Sequence, residues 1–96
     1  MVKLIKIVKS AKADKKYDAH FLTDKNRTKV VSFGAAGMDD YTINKDPERQ
    51  KLYIARHSAN ENWSSPMTAG ALSRYVLWSA TSIRQGIQNY KQRFGF

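Results

Sequence analysis

The tripeptide Asp46-Pro47-Glu48 divides this chain into two kinds of sequence, and that division constrains the fold more than any other feature. An aspartate at the cap position can accept orphan backbone N–H groups, proline suits the first helical position, and an acid in the first turn complements the positive helix end. A helix therefore starts at Pro47. Before it the apolar residues recur with a period near two, and after it with a period near 3.6, the two signatures of strand and helix.

In the first part, Val2 to Val8 is β-rich, with Lys3 to Ile7 nearest to true alternation, and reads as a first strand. Ser10 to Lys16 is polar and lysine-rich, a turn. Tyr17, Ala19 and Phe21 then alternate with Asp18, His20 and Leu22, giving a second strand with one aromatic face. The cluster Thr23-Asp24-Lys25-Asn26 is a hairpin turn, and Thr28 to Phe33 forms a third strand around Val30 and Val31. Three such strands make an antiparallel meander whose apolar face needs a cover. Asp39 to Ile43 is expected to run on in extended form to the Asp46 cap.

The second part supplies the cover. In a helix from Pro47 to about Ala59, Leu52, Ala55 and Ala59 form the expected inward stripe, with Tyr53 and His57 sharing an edge. Asn60 to Pro66 breaks it. Thr68 can cap a second helix carrying Leu72, Tyr75, Val76 and Ser79 at helical spacing, with Leu77 and Trp78 making it apolar on more than one side and the most buried of the three. Ser82 and Gln85 match a capping box, and Ile83, Ile87, Tyr90 and Phe94 trace one stripe of a third helix that stops at Gly95. The fold class is α+β: a three-stranded antiparallel meander followed by three helices packed on one face. A chain of 96 residues makes one domain, mainly β over 1–45 and mainly α over 46–96.

Composition narrows the function. With 42% hydrophobic residues the chain is rich enough to fold, so its charge does not mark a disordered tail. The absence of cysteine removes thiolate zinc sites, iron–sulfur clusters and cysteine nucleophiles. The start MVKLIKIVKSAK has no signal-peptide apolar block, and no later run approaches a membrane span, so neither secretion nor membrane insertion is expected. The net charge is +9, and its excess lies mainly in the second half: ten basic against seven acidic side chains over residues 1–48, seven against one over 49–96. A field of that sign attracts polyanions or acidic protein surfaces.

Candidate sites follow from this charge and from the aromatics. Arg49, Lys51, Arg56, His57, Arg74 and Arg84 with Trp63 form the candidate binding surface; on nucleic acid the cations would meet phosphates and Trp63 would stack on a base. The plainer readings are a solvated charged face and, for Trp78 and Tyr75, core packing. His20, Asp39, Asp40, His57 and Glu61 contain the ingredients of a divalent-metal hydrolase, a set that chance also produces, and Asp39-Asp40 is more simply a turn pair. Gly34 and Gly37 bracket Ala35-Ala36 as a phosphate loop would, yet no lysine and Ser/Thr follow at P-loop spacing. No serine sits in a GxSxG elbow. No cofactor motif, metal ligand set or catalytic residue emerges.

The run FGAAGMDDYTINKDPERQKLYIARH over 33–57, then ENW at 61–63, TAGALSRYVLW at 68–78, Ser82-Ile83 and Arg93-Phe94 resemble a family of small uncharacterised proteins encoded by large DNA viruses of algae and protists. The resemblance covers most of residues 28–94. It implies a viral setting and transfers no catalytic site; where such relatives often carry a histidine before the Lys-Asp pair, this chain has Asn44. The expectation is a non-enzymatic, basic structural module, a minor virion or capsid-associated protein docking on an acidic partner such as a capsid protein, located in the virion or in the host cytoplasm or nucleus. Nucleic-acid binding is the alternative expectation, and a metal-dependent nuclease the third.

Overall fold

The computed structural model describes residues 1–96. Strands β1 (Lys3–Lys9), β2 (Lys15–Leu22) and β3 (Thr28–Ala35) form an antiparallel sheet in the order β1-β2-β3. They are followed by α1 (Tyr41–Asn44), α2 (Pro47–Ser58), α3 (Ala69–Leu72), a π-helical turn over Ser73–Leu77, and α4 (Ile83–Phe94). The α+β class and the meander are as the sequence predicts.

The first strand shows why its apolar pattern is imperfect. The β1–β2 register shifts between Leu4 and Lys6, so that Leu4 pairs with Phe21 and Ile7 with Ala19, while Ile5 is left exposed. This bulge turns both Leu4 and Ile7 toward the core, which strict alternation could not do. Asn26 takes a positive φ of 57° in the β2–β3 turn, as an Asn at a hairpin tip readily does.

The core joins the sheet to the later helices. Ala19, Phe21 and Phe33 from the sheet meet Leu72, Val76, Leu77 and Tyr90, all fully or almost fully buried. Tyr90 donates its hydroxyl proton to the Pro66 carbonyl at 2.6 Å, so its polar tip is satisfied where its ring is buried. The helices carry the caps expected of them: Asp46 accepts from the Glu48 amide, Thr68 from that of Ala71 and Ser82 from that of Gln85, and Gly95 ends α4 at φ 72°. Only half of the capping box forms, because the Gln85 side chain donates to Asn89 instead of reaching back.

Three expectations are corrected. Asp39 to Ile43 is not extended: Asp40 caps the single turn α1, and Lys45 ends it with φ 53°. The long second helix is interrupted, α3 passing into the π-helical turn in which the Trp78 amide reaches the Ser73 carbonyl at 3.1 Å. The inward stripe proposed for α2 faces water. Leu52 is 59% exposed, Ala55 and Ala59 are exposed, and no residue of α2 is buried. Alanines offer little area to bury, whereas the aromatic edge of Tyr53 and His57 offers much more, and that edge takes the inward position. The apolar face of the sheet is covered by α3, the π-helical turn and α4, leaving α2 to form the wall of a groove. No helix is long and apolar enough to cross a membrane.

Candidate functional site

The groove lies between α2, the loop after β3 and the end of the π-helical turn. Arg49, Tyr53, Arg56 and His57 recur at helical spacing along one face of α2 and line it. Met38 and Asp39 from the loop stand opposite, and Trp78 forms the floor. The ring of Tyr53 stacks on Trp78 with centroids 4.4 Å apart and planes 5° apart, and His57 lies against the same tyrosine at 4.3 Å. Trp78 closes the π-helical turn and meets α2 through Tyr53, while Val76 and Leu77 stay in the core. An adjoining cavity of about 580 Å³ extends the groove past Lys15, Lys16, Gly34 and Ser73 to Glu61. Gly34 is required there: a Cβ would come within 2.8 Å of Leu77 Cδ1, and its φ is +77°.

Most charges in the groove are already paired. Lys16 Nζ donates to Asp40 at 2.5 Å, with side-chain exposures of 13% and 2%. Asp40 also accepts from the Thr42 amide at 2.8 Å, so one carboxylate caps α1 and anchors β2. Arg49 bonds Asp39 at 2.8 Å in an exposed pair, and His57 Nδ1 is 3.5 Å from Glu61. Glu61 in turn accepts from Trp63 Nε1 at 2.7 Å. Tyr53 has its pKa pushed up to about 12, first by burial and then by the Glu61 carboxylate, against an opposing pull from Arg74. The Arg56 guanidinium and the Lys15 ammonium make no ion pair or hydrogen bond within the chain.

The expected binding residues divide. Arg49, Arg56 and His57 line the groove. Trp63 and Arg74 join it indirectly through Glu61: the Arg74 guanidinium lies 5.5 Å from the Trp63 ring centroid and 5.1 Å from that of Tyr75. Trp63 therefore has one face covered and its N–H engaged, and it does not present the open stacking platform foreseen for a base. Lys51 sits on the outer side of α2, 3.9 Å from Glu48, and Arg84 is exposed on α4, so neither belongs to the groove. The possible metal ligands do not gather: Asp40 is consumed by Lys16 and Thr42, His20 pairs across the sheet with Lys6 and Val30, and no three His, Asp or Glu residues form a group able to hold an ion.

Sequence reasoning missed Lys15, Lys16, Met38 and the groove role of Trp78. A Lys-Lys pair opening a strand and a methionine between glycine and two aspartates were the available signals, and neither has a period that distinguishes it from ordinary surface. Trp78 was legible as apolar but not as part of a groove, because the ring it stacks on, that of Tyr53, lies on a different helix.

The profile of a family of unknown function, DUF5754, matches residues 5–57, the segment that contains β1 from Ile5 onward, β2, β3, α1 and all but the last residue of α2. No curated protein and no solved structure matches the chain. The match takes in Lys15, Lys16, Met38, Arg49, Arg56 and His57 and leaves out Trp63, Arg74 and Trp78. Spanning more than half of the sequence, it shows that this chain belongs to the DUF5754 family.

Proposed function

We propose that the protein is a docking module, not an enzyme, and that its groove receives an acidic, partly apolar segment of a protein partner. The observation that carries this reading is Arg56, an unpaired guanidinium set beside two exposed apolar side chains, Met38 at 64% and Leu52 at 59%. Exposed apolar surface next to an unpaired cation is what an amphipathic acidic segment complements: its apolar side chain buries against Met38 and Leu52 while a carboxylate meets the guanidinium. Arg49 can join, because its pair with Asp39 is exposed and such pairs are worth only about 0 to 1 kcal/mol, little enough for a partner carboxylate to replace. The covered face of Trp63 favours this over nucleic-acid binding, which would use an open aromatic platform.

The setting we infer is a large DNA virus, with the protein as a minor virion or capsid-associated component; the support is the resemblance over residues 28–94. Mass spectrometry of purified particles tests it, and absence of the protein from them overturns it. The docking itself is tested by calorimetric titration with a synthetic amphipathic peptide of Glu and Leu at helical spacing, at about 150 mM salt, where long-range attraction is screened. Saturable binding that Arg56→Glu abolishes supports the reading. Equal binding by the Arg56→Glu protein, or a preference for a DNA oligonucleotide at that salt, refutes it.

A further inference from the structure

The Gly34–Gly37 turn borders a second cavity, separate in chemistry from the docking groove. This cavity, about 520 Å³, shares Lys15, Lys16 and Asp40 with the groove and opens between the β1–β2 turn and the start of α1. Four lysines line it, Lys9, Lys12, Lys15 and Lys16, with a single carboxylate, that of Asp40. Asp40 is already occupied by Lys16 Nζ and by the Thr42 amide and hydroxyl. The ammonium groups of Lys9, Lys12 and Lys15 have no ion pair or hydrogen bond within the chain, and Lys16 has spent one of its three protons. The cavity therefore holds a concentrated, uncompensated positive charge.

Its walls are braced. Asp18 accepts from Ser10 Oγ at 2.6 Å and from the Ala11 amide at 3.1 Å, and the Lys12 amide donates back to Ser10 Oγ at 3.0 Å, which fixes the turn that carries Lys12. The Ala36 amide donates to the Asp14 carbonyl at 3.0 Å and ties that turn to the glycine loop. Asp14 itself does not line the cavity. The amides of Ala13 and Gly37, both at the cavity, find no acceptor in the protein. Gly37 has φ +83° and no atom within 4 Å of where a Cβ would stand, so its backbone is open to a ligand. Lysine ammoniums and free backbone amides around a concave site are the donors that phosphate oxygens take, without the sequence of a P-loop.

We propose that this cavity binds a compact ligand carrying linked phosphates, such as a di- or triphosphate. Several adjacent anionic groups are needed to engage lysines that come from β1, the turn and β2, which a single sulfate or phosphate does less well. Tyr17 and Ile43 close the cavity with apolar surface against which a nucleoside portion could rest.

The test is calorimetric titration of the full chain with sodium tripolyphosphate at about 150 mM salt, alongside ATP and sodium sulfate. The expected result is a saturable one-site isotherm for tripolyphosphate, with sulfate much weaker. Lys9→Gln and Lys12→Gln, both at exposed positions, each weaken it about five- to tenfold, while Lys51→Gln and Arg84→Gln leave it within about twofold. ATP binding as tightly as tripolyphosphate identifies a bare polyphosphate site, and tighter ATP binding identifies a nucleoside polyphosphate site; both support the inference. No saturable heat, equal weakening by the Lys51 and Arg84 variants, or a DNA oligonucleotide that binds but is not displaced by tripolyphosphate overturns it.

Discussion

Gly86 sits where α4 crosses the π-helical turn, and replacing it with alanine tests how the core is closed. A Cβ at Gly86 would stand 1.9 Å from the Val76 carbonyl oxygen, 2.8 Å from its carbon and 3.1 Å from Val76 Cα. These are backbone atoms with no rotamer to yield. Restoring ordinary contact requires α4 to move off by roughly 1.5 Å, since non-bonded heavy atoms settle near 3.5 Å. That shift also pulls on Tyr90 and on Asn89, both on α4, and so on the 3.0 Å hydrogen bond that Asn89 donates to Ser79. Helix propensity works the other way, favouring alanine by about 1 kcal/mol. Overpacking of this kind costs about 1 to 3 kcal/mol, more where backbone must move, so the upper end applies and the net loss is about 2 kcal/mol. For a domain of this size that lowers Tm by roughly 8 to 16 °C. Thermal and urea denaturation followed by circular dichroism read the change, with Gly37→Ala as the control: that site has no neighbour within 4 Å and only its positive φ to strain. A Gly86→Ala protein as stable as the parent would refute the close crossing.

Other outcomes follow from the charged and phenolic groups. Asp18 is held at a pKa of about 2, below its ordinary 3.8, mainly by hydrogen bonds from Ser10 and Ser32. The stability it contributes is complete above pH 4 and is lost as pH falls from about 4 toward 2, so Asp18→Asn should flatten the acid limb of the stability curve measured by urea titration. Tyr53, raised to about 12, and Tyr90, raised further by burial, favour the neutral phenol in the fold. Stability should therefore decline as pH rises above about 10, and Tyr53→Phe should remove one late component from the ultraviolet phenolate titration. Asp40→Asn leaves Lys16 without its carboxylate at a nearly dry site and should cost about 3 kcal/mol in chemical denaturation, whereas Asp39→Asn, in an exposed pair, should cost under about 1 kcal/mol.

Much of the architecture was legible in the sequence because it rests on local rules. The alternation of Tyr17, Ala19 and Phe21, the caps at Asp46, Thr68 and Ser82, and the stripe ending at Gly95 all describe backbone chemistry within a few residues. What was illegible is what depends on partners distant in sequence. Whether Leu52 or Tyr53 turns inward is decided by Trp78, twenty-five residues beyond Tyr53, offering a ring on which to stack. The α1 turn depends on Asp40 being drawn in by Lys16, and the lysine cavity on an Ala36–Asp14 bond between two loops. The placement of the candidate binding residues follows the same rule: helical spacing groups Arg49, Arg56 and His57, but nothing local places Lys51 and Arg84 away from them or covers Trp63 with Arg74.

The most direct measurement of the docking account is a nuclear magnetic resonance titration of labelled protein with the Glu/Leu peptide at about 150 mM salt. The account predicts shifts concentrated at Met38, Arg49, Leu52, Tyr53, Arg56 and the Trp78 indole, with Lys51 and Arg84 unmoved. Small shifts spread over every lysine and arginine, with none at Met38 or Leu52, would reveal undirected charge attraction and contradict it.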